Sequence, residues 1–106
     1  MRIVALTGSG FTRTATAQLV NDGGTTATGV YAVAEFFAGT TKVKVNGQDA
    51  LRVEVGRVEV GQTVERTVEL RFSLLDGLRL QRSGGLVVLT VYADQGIWRF
   101  EEAFQP

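Results

Sequence analysis

TVERTVELRFSL occupies residues 63–74, and no other stretch of the chain alternates as cleanly. Val64, Val68, Leu70, Phe72 and Leu74 fall on one parity, and Glu65, Thr67, Glu69, Arg71 and Ser73 on the other. Side chains reverse direction at each residue of a strand, so the pattern makes one dry face and one wet face. Helical spacing fits these residues worse, and the stretch reads as a half-buried β-strand.

The same period extends in both directions. Toward the N-terminus, Val58 and Val60 lead to Gly61, and Leu51, Val53 and Val55 alternate with Arg52 and Glu54 before Gly56 punctuates. Lys42 to Val45 is short and ends at Asn46-Gly47, a pair suited to the positive φ of a type I′ turn. Val30, Ala32, Ala34 and Phe36 alternate with Tyr31, Val33, Glu35 and Phe37, so both faces are partly apolar and a central strand is expected. From Phe11, Ala15, Ala17 and Leu19 share one face, with Arg13 as a charged exception, and Arg2 to Thr7 is a first strand ended by Gly-Ser-Gly. Toward the C-terminus, Asp76-Gly77 and Ser83-Gly84-Gly85 mark turns around Leu78 and Leu80. Leu86 to Tyr92 and Ile97 to Phe104 are the last strands, and no segment is expected to be helical.

Seven to eight short strands, 13 Gly and one Pro make an all-β protein. An alternating strand buries one face, so two antiparallel sheets must meet, and an immunoglobulin-like β-sandwich does this in roughly 100 residues. A small closed barrel is the alternative; irregular connection lengths favour the sandwich.

The 106 residues suit one domain, 1–106, with 44% hydrophobic and 21% charged residues. Eleven basic and eleven acidic residues cancel and are interspersed, which is not the footprint of a nucleic-acid binder. No apolar run reaches the roughly 18 residues of a membrane span. Cys and His are absent, which removes disulfides, thiolate nucleophiles, imidazole ligands and the Ser-His-Asp triad. Acid–base chemistry would fall to carboxylates, Lys or Tyr. The opening MRIVALTGSG does not read as a signal peptide, leaving a cytosolic protein or an excised domain with an added Met as the two expectations.

Asn21, Gly23, Ala27 and Val30, then Gly56, Val58, Gly61 and Thr63, then an apolar strand and Asp94, resemble the pattern of the CARDB-type domain. That resemblance spans roughly Phe11 to Asp94. It implies an immunoglobulin-like sandwich repeated in surface proteins of bacteria and archaea, an extracellular spacer, adhesion or assembly role, and no catalytic residues. Partners would then be other proteins or neighbouring domains of the same chain, at the cell surface. The segment Leu75 to Gly85 is longer than the family's usual connection, and the aromatic-rich continuation to Phe104 is a second departure.

Asn21-Asp22-Gly23-Gly24 reads as a strand-joining turn in which Gly supplies positive φ, because Asp22 alone falls short of the six to eight oxygens of a Ca²⁺ site. Thr7 to Gly10 lacks the Lys and helix of a phosphate loop. Glu101 and Glu102 are adjacent on a strand and point to opposite faces, so they cannot act on one bond. The Glu54, Glu59, Glu65, Glu69 and Arg52, Arg57, Arg66, Arg71 sets are expected to form cross-strand ion pairs. No catalytic residue, metal or cofactor is expected. Trp98, Tyr31 and Phe37 are the candidate binding residues. Trp98 turned inward is a packing anchor; turned outward beside Tyr31 or Phe37, it would stack on a sugar or dock a protein. The leading expectation is a non-catalytic structural or adhesion module, and the alternative is a carbohydrate-binding module.

Overall fold

In the computed structural model the described residues are 1–9 and 13–104, the side chains of residues 5–9 and 13 excepted. Eight strands and one helix follow in chain order among them: β1 (Arg2–Ser9), β2 (Arg13–Val20), β3 (Ala27–Ala38), β4 (Thr41–Val43), β5 (Leu51–Val58), β6 (Thr63–Leu70), α1 (Leu74–Ser83), β7 (Gly85–Ala93) and β8 (Gly96–Phe104). They form two antiparallel sheets. One has the order β1-β2-β6; in the other, β3 pairs β7 on one side and both β4 and β5 on the other, and β8 closes the far edge. The two sheets keep separate edges, so the molecule is the expected immunoglobulin-like sandwich and not a closed barrel.

Alternation explains which faces meet. β3 buries Val30, Ala32, Ala34, Phe36 and Ala38 and leaves the residues between them half-covered. Across it, β7 supplies Val87, Leu89 and Val91, and the three-stranded sheet contributes Leu19 and Leu70, with Val64, Val68 and Ala15 packed alongside. β3 takes the central position expected for it, hydrogen-bonded along both edges, and neighbours on both sides half-cover its outward side chains.

Three expectations are corrected. The segment after β6 is not a loop with turns: Leu74–Ser83 is helical. Ser73 caps it, its Oγ accepting from the Asp76 amide at 3.1 Å, Asp76 pairs with Arg79 at 3.2 Å, and Gly84 at φ 74° ends it. The helix escapes a pattern search because only Leu80 is buried while Leu74, Leu75 and Leu78 are exposed, and Gly77 weakens its interior by about 1 kcal/mol. The second correction is Gly56, which does not end its strand. At φ 91° it sits at a register shift opposite Val30, and β5 continues to Val58. The third concerns β1, which runs through Ser9 paired with Thr14; the stop expected after Thr7 comes later, and Gly10, Phe11 and Thr12 lie outside the described residues.

Asn46 and Gly47 both have positive φ, at 52° and 74°, and Val45 and Gln48 exchange backbone hydrogen bonds of 2.8 Å across them, as a type I′ turn requires. Among the described residues no helix is long and apolar enough to cross a membrane.

Candidate functional site

The Asn21 corner is a buried clamp. Asn21 is 3% exposed and lies just past β2. Its Nδ2 donates to the carbonyls of Thr25 (2.9 Å) and Val58 (3.0 Å), its Oδ1 accepts from the Gly23 amide (3.1 Å), and its backbone bonds Gln62 and Gly61. One amide thus ties the β2–β3 connection to the β5–β6 connection and leaves none of its own atoms unpaired. The turn reading holds with one correction: positive φ falls on Gly29 and Gly61, not on Gly23 or Gly24. A Cβ on Gly29 would stand 3.0 Å from the Asp94 carboxylate, which accepts the Thr28 hydroxyl at 2.8 Å. Asp22 is held by cations, 3.0 Å from the Met1 ammonium and 3.9 Å from Arg2. The hydrogen bond from that ammonium keeps the Asp22 carboxyl below its usual range. Among the described residues no three His, Cys, Asp or Glu are grouped to hold a metal.

The three candidate binding residues stand apart. Trp98 pairs with Val91 on the inward face of β8, packs half-buried against the core, and folds its ring over Gly96. Tyr31 and Phe37 lie on the outward face of β3, separated by six steps of strand, or roughly 20 Å. Tyr31 stacks on Tyr92, its cross-strand partner, at 4.9 Å and 14°, and Arg52 Cζ lies 3.8 Å from the Tyr31 centroid. Arg52 comes from β5 and Tyr92 from β7, which flank β3 on opposite sides, so Tyr31 is sandwiched between them. Ile97, 66% exposed, extends this row as the partner of Tyr92. Tyr92 and Arg52 were invisible as site residues in the sequence because only strand order brings them to Tyr31.

The acidic and basic residues pair differently from expectation. Arg52–Glu54 (2.5 Å), Arg57–Glu59 (2.7 Å) and Arg71–Glu69 (3.5 Å) join residues two apart in the chain rather than across strands. Same-face residues two apart in extended chain are about 6.6 Å from one another, within the reach of an Arg side chain. Arg57 and the Thr26 hydroxyl both bond Glu59 and lower its pKa. Arg66 forms a different contact altogether: from β6 it reaches across the sandwich edge, donating through Nε to the Glu54 carbonyl and through Nη2 to the Val55 carbonyl, each at 3.3 Å.

Beneath Arg66 the two sheets flank a cavity of 430 Å³. Its lining includes Ala15 and Ala17 of β2, Ala32 and Ala34 of β3, and Leu51, Val53, Val55, Val64 and Val68, with Arg66 and Glu102 as its charged members. Facing sheets lie about 10 Å apart, a gap that large side chains fill and alanines do not. At about 24 cal/mol per Å³ a sealed, empty void of 430 Å³ would cost on the order of 10 kcal/mol, the whole stability of a typical domain. The space is instead an open slot, since Ala15, Ala17, Val53, Val55, Val64 and Val68 are only half-buried. Alanines at alternate positions of two core strands were the signal for it in the sequence.

A model of the archaeal immunoglobulin-like domain matches residues 1–105. No curated protein matches the chain. With the two-sheet sandwich and a match over nearly its full length, the chain belongs to the archaeal immunoglobulin-like domain family.

Proposed function

We propose that this domain is a non-catalytic structural module of a cell-surface or secreted protein, joined in line to neighbouring domains or protein partners. One observation carries the reading. β1 starts beside Val20 and the Asn21 corner, while β8 ends beside Gly85 and α1, at opposite poles of a body of 43 × 20 × 19 Å. Modules joined through such ends would extend a chain lengthwise, each adding about the long dimension. The CARDB-type resemblance supports the same reading, because Asn21, Val58, Gly61, Gly56 and Val30 bond or pair with one another at one pole and brace the β2–β3 and β5–β6 corners. A clamp of that kind makes a stiff link.

An immunoblot of fractionated native cells with an antibody to this domain tests it. A band well above 11.4 kDa in the envelope or medium is the expected result. A soluble cytosolic band at 11.4 kDa would overturn the surface reading.

A further inference from the structure

We propose that the slot between the sheets binds the hydrocarbon chain of a single-chain carboxylate amphiphile, with its head group at Arg66. The volume of 430 Å³ lies within the range of about 300–1,000 Å³ of small-molecule sites. Val64 to Leu70 on β6 line it over six strand steps, roughly 20 Å, and the lining continues to Phe104 on β8, so the space has the reach for an extended hydrocarbon chain.

The chemistry of the walls selects the occupant. Inward faces of paired strands present side chains, and the backbone groups left outside the ladders lie at the mouth of the slot, on the outer edges of β5 and β6. A polypeptide strand lying between the sheets would find partners for its amides only at the mouth, where Arg66 already takes the Glu54 and Val55 carbonyls, whereas a hydrocarbon needs none anywhere along the walls. Water gains no hydrogen-bond partners from these walls, so displacing it with a hydrocarbon chain is favourable.

Charge then orients the ligand. Arg66 straddles the edge between β5 and β6, where the half-buried Val53, Val55, Val64 and Val68 open the slot. Its guanidinium has five N–H groups, and the bonds to Glu54, Val55 and Glu65 use three, one on each nitrogen. Two remain for a carboxylate. Glu102, on β8, repels an anion from the other side of the slot, so the head stays with Arg66.

The test is calorimetric titration of the domain with palmitate below its critical micelle concentration, with hexadecanol as the uncharged control, alongside thermal melting of Ala34→Leu, Ala17→Leu and Arg66→Gln. Saturable one-to-one binding of palmitate is expected, at least tenfold tighter than hexadecanol. Either leucine, projecting into the slot, should lower palmitate affinity tenfold or more while raising the melting temperature, which also shows that the variant folds. Arg66→Gln should bring palmitate down to the affinity of hexadecanol. Absence of saturable palmitate binding would overturn the proposal. So would leucine variants that melt lower and bind unchanged, because the slot would then be neither open nor the site. Equal binding of palmitate and hexadecanol by the unaltered domain would overturn the assignment of the head to Arg66.

Discussion

The ring of Phe104 occupies the place where a side chain on Gly85 would stand: a Cβ there would lie 2.5 Å from its Cζ. The two residues are cross-strand partners on β8 and β7, and Phe104 also meets Phe36 edge-on at 5.9 Å. A ring that gave way would disturb its contact with Phe36. Gly85→Ala is expected to cost about 1–3 kcal/mol as an overpacked site. Thermal melting reads this as a drop of roughly 4–8 °C per kcal/mol for a domain of this size.

Asn21→Ala removes a side chain that bonds Thr25, Val58 and Gly23 together. Each buried group left unpaired costs about 1–3 kcal/mol, so a loss of about 2–4 kcal/mol in urea denaturation is expected. Asn21→Asp keeps the shape but presents an acceptor to two carbonyl oxygens. Its buried carboxyl would titrate above the unfolded value, so the loss is greatest at neutral pH and shrinks as the pH falls through that raised value.

Leu80 and Leu74 sit on one helix at opposite extremes, 0% and 82% exposed. Leu80→Ala should cost about 2–5 kcal/mol and Leu74→Ala no more than about 0.5 kcal/mol. Equal effects would mean that α1 does not dock through Leu80.

Glu59 makes a linkage test with a definite sign. Arg57 and Thr26 lower its pKa in the folded state, so its stabilisation is present above the unfolded carboxylate range and is lost as pH falls through the folded value. Urea midpoints of the unaltered domain and Glu59→Gln should differ at neutral pH and converge on acidification. A gap that widened in acid would contradict the Arg57 and Thr26 contacts.

Arg52 over Tyr31 is a cation–π contact at an exposed site, for which about 0.5–1 kcal/mol is typical. A double-mutant cycle of Arg52→Gln and Tyr31→Leu should return a coupling of that size. Glu54→Gln should leave the coupling standing, because the ion pair is a separate surface contact of Arg52.

Legibility followed the range of each interaction. Alternation in Thr63–Leu70 and in Val30–Phe36 was read directly, because a strand's faces are set by neighbours two residues apart. The Asn46-Gly47 turn was equally local. The helix was not legible, since a single docked leucine leaves no periodic stripe, and its start depends on the capping hydroxyl of Ser73.

An all-β fold of alternating strands, two sheets with a shared apolar interior and the absence of thiol and imidazole chemistry follow from the order and kinds of residues alone. Strand pairing and packing in three dimensions turn Trp98 inward, set Tyr31 between Arg52 and Tyr92, let Asn21 clamp two loops, and bring four alanines from two sheets to one slot. Each of these depends on which strands become neighbours, and that choice is made by burial of whole faces rather than by any residue's own preference.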